Sequence, residues 1–433
     1  MKRIFYSLLA NTVFSTITNM TVWFALTFFV YLQTEKVLAT AIISGIYLVA
    51  VALSGFWFGS LVDHYKKKTM MLFSSIFSLA IYLVGFAIYL LVAKETFTDI
   101  SSPILWVFVA LLMIGVVIGN IRTIALPPLV TVLIPEKTRD KANGLVGSAT
   151  GVAFLVTSVI SGLLVGISGM FLVLLLAIIV TVLSIVHLLT IDVPENKVIH
   201  IDTPESPTKM DIKGTIKIVK AVPGLLALIL FSTFNNFLGG VFMALMDAYG
   251  LSLVSVEIWG LLWGVLSTAF IIGGLIIAKV GLGKKPLRAL FVANIVIWTI
   301  SSVFTIQSSV ILLVIGMFIY LAVVPFIEAA EHTIIQKAVP VDRQGRVFGF
   351  AQSIEQAASP LTAFLIGPIA QFIFIPFMTT GRGAELIGSW YGTGDARGIA
   401  LVFTITGIIG LLATIAAMNS PFYKRLSKEY AKK

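Results

Sequence analysis

The strongest constraint on this chain is the recurrence of long apolar runs, twelve of them, spread over almost its whole length. Each is long enough to cross a hydrocarbon core of roughly 30 Å as an α-helix. In lipid every backbone N–H and C=O must be satisfied internally, so runs of this kind fold as helices packed on one another. The pattern predicts spans over residues 5–32, 37–62, 69–93, 103–133, 142–166 and 169–191, a polar interval, and then spans over 222–246, 256–280, 287–306, 309–336, 347–377 and 398–420. The expected fold class is an all-α polytopic membrane protein with twelve transmembrane helices in two pseudo-symmetric six-helix bundles.

Composition removes the alternatives. With 58% apolar and 12% charged residues and a mean hydropathy of +1.03, the chain lacks the charged surface a soluble domain of this size needs. The net charge of +10 is not a nucleic-acid stripe, because the basic residues lie in short clusters at alternate ends of the apolar runs. With the N-terminus in the cytosol, 25 of the 30 lysines and arginines fall on the cytosolic side. Four fall outside (Lys36, Lys94, Arg382, Arg397), and only Arg122 lies within a span away from its ends. This asymmetry sets both termini in the cytosol of a multi-pass plasma-membrane protein. The first apolar run is too long for the core of a signal peptide. The chain has no cysteine, its four histidines are scattered, and no Gly-Lys-Ser/Thr phosphate loop or Ser/His/Asp arrangement can be read. No enzyme activity, cofactor or metal is therefore expected.

Residues 192–220 carry Pro194, Pro204, Pro207 and mixed charge, which describes a linker, with 211–220 able to form a short amphipathic helix on the membrane surface. The expected division is an N-terminal bundle over 1–191, a cytosolic linker over 192–221, and a C-terminal bundle over 222–433 ending in a basic tail. Internal echoes support two related halves. Gly45 and Gly59 recur as Gly260 and Gly274, Ser101-Ser-Pro-Ile-Leu as Ser308-Ser-Val-Ile-Leu, and Pro135, Lys141 and Gly144 as Pro340, Arg346 and Gly349. Duplicated bundles of this kind place a substrate site near the midplane.

The segment GSLVDHYKKKTMM, residues 59–71, joins the second and third runs. Gly59 permits close helix approach, Asp63 sits at the cytosolic rim, and Lys66, Lys67 and Lys68 hold that end in the cytosol. This segment resembles the loop signature of the major facilitator superfamily, and GGLIIAKVGLGKK over 273–285 is its weaker copy, with Ala278 in place of the acid. Arg122 in RTIALPPL, PEKTRDKANG over 135–144 and VPVDRQGRVFGF over 339–350 are similar to the drug–proton antiporter branch that includes macrolide and tetracycline exporters. In the fifth run, Ser158 and Ser161 stand where that branch commonly carries a proline and a glycine. The resemblance implies a cytosolic gate at Gly59, Asp63 and Lys67, with Asp63 as a latch.

Charges inside spans are costly and need a reason. Glu328 and Glu331 share one face of the tenth helix, and Glu355 lies on the eleventh. Glu328 stands about 13 Å along its helix from Lys337, as Glu355 does from Arg346, so both acids are expected near mid-membrane. Two like charges in apolar surroundings favour holding a proton, which predicts proton coupling through Glu328 and Glu355, with Glu331 as a hydrogen-bonded interfacial residue and Arg122 as a coupling residue or one half of a structural ion pair. Asn19, Trp23, Asn235 and Asn236 are candidates for the substrate cavity or for helix-to-helix hydrogen bonds. Residues 377–397 read as a long external loop that either caps the outer mouth or simply crosses it.

The expected function is secondary active transport, as a proton-coupled antiporter exporting small amphiphilic drug-like compounds by alternating access, with a role in multidrug resistance. The expected partners are this substrate, protons and the bilayer, with the chain a monomer and no nucleic acid bound. The alternatives are a transporter of one physiological metabolite (a lipid precursor, peptide or siderophore) and, in another class, a non-transporting membrane receptor or scaffold.

Overall fold

The computed structural model describes residues 1–34, 37–195 and 212–432. All regular structure there is helical. In chain order the helices are α1 Lys2–Thr34, α2 Val37–His64, α3 Lys67–Leu91, α4 Pro103–Gly119, α5 Ile121–Leu133, α6 Arg139–Ser168, α7 Met170–Thr190, α8 Ile212–Ala221, α9 Leu225–Leu251, α10 Val256–Val280, α11 Pro286–Val303, α12 Val310–Ala338, α13 Gln344–Ile369, α14 Ile375–Thr379, α15 Arg382–Tyr391, α16 Asp395–Asn419 and α17 Pro421–Lys432. Twelve stretches among the described residues are long and apolar enough to cross a membrane. Lys36 and most of the linker lie outside the described residues, while the amphipathic helix expected before 221 is present as α8.

The differences from the sequence expectation have local causes. The run 103–133 breaks at Asn120, whose N–H donates three residues back to Val117 O at 3.0 Å. This tightened turn re-aims α5, which also carries Pro127 and Pro128. The eleventh run contains Pro360 and Pro368, and a wide-turn segment over Ala370–Phe374 follows the second of them. Proline removes a backbone donor, so the ladder is re-registered there. The expected external loop 377–397 is largely helical, because α15 presents Gly383 and Tyr391 inward while Leu386 and Trp390 stay exposed one turn apart. At Gly169 the chain turns between α6 and α7 with φ +59°, and a Cβ would also fall 2.5 Å from the Tyr89 hydroxyl.

The chain forms two compact units. The first comprises Met1–Arg139, Ala149–Thr215 and Val339–Ser353, and the second Asp140–Ser148, Ile216–Ala338 and Ile354–Lys433. In the first, Phe29, Tyr89, Phe97 and Phe108 form an aromatic core with ring centroids 5.3 to 6.3 Å apart. In the second, Phe242, Phe304 and Phe403 stack beside Trp298 and Tyr249. Arg397 locks one end of this core. It donates to Tyr391 O, Thr305 O, Ile306 O, the Tyr249 hydroxyl and Ser308 Oγ, and its guanidinium lies 4.3 Å from the Tyr391 ring.

Candidate functional site

In the second unit three carboxyl groups converge from two helices. Glu331 on α12 is buried and accepts the Ser232 hydroxyl of α9 at 2.8 Å. The Glu331 carboxyl meets that of Glu355 on α13, and Glu328 lies within electrostatic reach of both. One oxygen on each of Glu331 and Glu355 is buried with no hydrogen-bond donor among the described residues. A proton held between the two carboxyls is the donor that such a pair lacks, and it relieves like-charge repulsion in a medium that screens poorly.

The contacts within this acid group single out a different pair from the Glu328 and Glu355 named from the sequence. Three residues along a helix rotate the side chain by about 60°. That offset turns Glu331 toward α9 and α13 and leaves Glu328 exposed. The direct pair is therefore Glu331 with Glu355, not Glu328 with Glu355. Pro325 lies one turn before Glu328 in α12, where it interrupts the backbone ladder next to the acids.

Arg122 belongs to the first unit. It is buried at the start of α5 and donates to Asn11 Oδ1 at 2.6 Å and to Ser75 Oγ, while its Nε has no acceptor. Asn11 in turn donates to Ser184 O at 2.8 Å and lies 3.2 Å from His187 Nδ1. Among the described residues no carboxylate pairs with Arg122, so the ion pair is replaced by a cage of neutral acceptors. Removing a charge from water costs several kcal/mol, and this cage offsets only part of that.

The segment at Gly59 packs on the start of α13. Asp63 accepts the N–H of Gly345 at 2.6 Å and of Arg346 at 2.9 Å, with the Arg346 guanidinium 3.9 Å away. The carboxylate thus sits at the positive end of α13, where the orphan N–H groups of a helix favour an anion. A Cβ on Gly59 would lie 2.6 Å from Gly345 O, and one on Gly349 would lie 2.3 Å from Gly55 O, so the backbones touch. Lys67 is buried within reach of Asp63. The N–H groups of Lys67 and Lys68, at the start of α3, donate to the carboxylate of Glu195 in the segment after α7.

A related contact in the second unit supplies the acid missing at Ala278. Asp140, in the first turn of α6, accepts the N–H of Leu282 at 2.7 Å, just beyond α10, and Lys141 Nζ donates to Lys279 O at 3.0 Å. Gly274 packs against Ser148 in the same interface, where a Cβ would strike at 2.3 Å. In one unit the acid is on α2 and faces the start of α13. In the other it is on α6 and faces the end of α10.

The polar cavity candidates are all engaged. Asn19 donates to Val116 O at 3.3 Å and accepts the Tyr82 hydroxyl at 2.6 Å. Trp23 stacks on Tyr47 at 3.9 Å. Asn235 and Asn236 donate to the carbonyls of Phe231 and Ser232, and Asn235 accepts the Trp298 indole N–H at 2.6 Å. Sequence reasoning missed Ser232 and Asn11, which carry no signal of their own. It also passed over Asp140, which stands in the quoted segment 135–144 as a visible acid. Among the described residues no three or more His, Cys, Asp or Glu side chains are arranged so that they could hold a metal ion, the three converging acids included.

Comparison with known proteins follows from this architecture. The sequence profile of the Major Facilitator Superfamily matches residues 8–363. Macrolide efflux protein A of Streptococcus pyogenes is 23% identical over 375 residues, covering 83% of this chain and 88% of that protein. Among solved structures, the human organic anion transporter TETRAN superposes with a TM-score of 0.73 at 12% identity, covering 96% of this chain and 99% of that one. A bacterial homologue of the iron transporter ferroportin, solved in an outward-facing state, gives 0.71 at 14% identity, covering 96% and 100%.

Proposed function

The chain belongs to the Major Facilitator Superfamily, and from that premise we propose that it exports amphiphilic drug-like compounds, cationic or neutral, in exchange for protons by alternating access. It is a multi-pass membrane transporter of small molecules and not an enzyme. The observation that carries the proton coupling is the Glu331–Glu355 contact with its two donor-less oxygens.

In the proposed cycle the pair holds one proton when the site is dry. Ser232 fixes the Glu331 carboxyl through its hydroxyl. A conformational step that hydrates the site stabilises the second negative charge and releases the proton, and the freed carboxylate then offers counter-charge to a cationic substrate. Glu328, exposed beside the pair, is the relay to water. Arg122 biases the first unit through its cage of Asn11 and Ser75. Asp63 and Asp140 act as latches that hold and release the start of α13 and the end of α10. Asn19, Trp23, Asn235 and Asn236 fix the helices around the substrate path. We further propose that the moving bodies correspond to the sequence halves 1–191 and 222–433, joined by 192–221, in a monomer of the plasma membrane with both termini cytosolic. The likeness to a macrolide efflux protein supports export as the direction.

A substrate panel of macrolides, tetracyclines, ethidium and tetraphenylphosphonium, run in a strain without its own efflux pumps, tests this. The expected result is lowered accumulation of several members, abolished by an uncoupler. Lowered accumulation that survives the uncoupler removes the proton from the account, and no effect on any member favours a single metabolite as substrate or a non-transporting role.

A further inference from the structure

Asp247 lies in the penultimate turn of α9, and the site around Glu331 does not use it. Its Oδ1 accepts the indole N–H of Trp259 at 2.9 Å and of Trp263 at 3.2 Å, two residues one turn apart on α10. The rings meet edge to face, with centroids 6.0 Å apart at 75°. Trp259 is buried and fixed against Gly250, where a Cβ would fall 2.4 Å from the indole. Trp263 is half-buried and Asp247 is exposed.

Two features of this arrangement exceed what joining α9 to α10 requires. Both indoles bond the same oxygen, so Oδ2 is left with no hydrogen bond, and no cation pairs with the carboxylate among the described residues. Asp247 also stands near the C-terminus of its helix, the pole where an anion is disfavoured and a positive charge is favoured. A cation brought to Oδ2 relieves both deficits and lies beside the two indoles that bond Oδ1. The residues one turn before and one turn after it, Met243 and Leu251, are exposed apolar side chains on the same helix face.

We infer that Asp247, Trp259 and Trp263 form a binding site for an organic ammonium ion that carries an apolar group. The site is distinct from the acid pair, because Asp247 lies 15 residues beyond Ser232 on α9, or about 22 Å along the helix. It extends the proposed export of cationic amphiphiles. Equilibrium binding tests it without transport, so a failure here and a failure of proton coupling are read separately.

The measurement is titration of the full-length protein in lipid nanodiscs with benzyltrimethylammonium, and with benzyl alcohol as the neutral counterpart, followed by quenching of tryptophan fluorescence. Asp247→Asn keeps an oxygen for both indoles but removes the charge. It is expected to weaken the ammonium ion roughly tenfold and leave the alcohol unchanged. Trp263→Leu is expected to weaken the ammonium ion and to remove most of the quenching. Thermal melting accompanies each variant, and if Asp247→Asn does not fold, Trp263→Leu carries the test alone. Ammonium binding at wild-type affinity by either folded variant, or equal loss of both ligands in Asp247→Asn, overturns the assignment.

Discussion

At Glu331 the neighbours matter more than the depth. A lone buried carboxyl simply stays neutral, but one that touches a second carboxyl shares a proton with it, and losing that proton changes the charge of the whole site. The sequence made the three acids visible because ionisable residues are rare in apolar runs. Which two of them touch was not legible, since this depends on how α12 is rotated against α9 and α13, and periodicity does not report rotation. Asp247 was invisible for another reason. The seventh apolar run ends at 246, whereas α9 continues to Leu251 and carries Asp247 inside the helix. Gly59 supports a prediction at this scale. Its missing Cβ would lie 2.6 Å from a backbone oxygen of Gly345 that cannot rotate away. Gly59→Ala is therefore expected to destabilise the protein by about 1–3 kcal/mol, read as a lower melting temperature in detergent. An unchanged melting temperature would mean that α2 and α13 do not touch there.

At the scale of elements, helix ends govern the two contacts proposed as latches. Asp63 and Asp140 each accept a backbone N–H across an interface between helices, and bonds of this charge-assisted kind contribute about 1.5–3 kcal/mol. The sequence suggested one latch and an unmatched Ala278. The second was hidden because its acid comes from the opposite side of the interface, four residues after Glu136 in a segment rich in charge. The two are expected to behave alike. Asp63→Asn and Asp140→Asn should each lower transport severalfold and widen the distance between spin labels placed across the corresponding contact, α2 to α13 or α10 to α6. Asp63→Asn changing the distances while Asp140→Asn leaves them unaltered would reduce Asp140 to a cap on the loop after α10. The helix breaks are legible only in part. Pro360 and Pro368 announce theirs, whereas the turn at Asn120 follows from packing and has no proline to mark it.

At the scale of the molecule, hydropathy alone specified twelve spans and their order, since the backbone has so few options in lipid. Charge asymmetry then supports the proposed orientation, with both termini cytosolic. Function was less legible because the fold is shared by exporters, importers and symporters, and the chemistry lies in a few side chains. The account therefore rests on the acid pair. Its most direct test is proton movement in proteoliposomes, with an internal pH dye reporting flux when a substrate returned by the panel is added. Wild-type protein should couple substrate to protons. Glu331→Gln and Glu355→Gln should each bind substrate and show no substrate-linked proton flux, with Glu328→Gln slowed but coupled. Proton flux at the wild-type ratio in either Glu331→Gln or Glu355→Gln would contradict it.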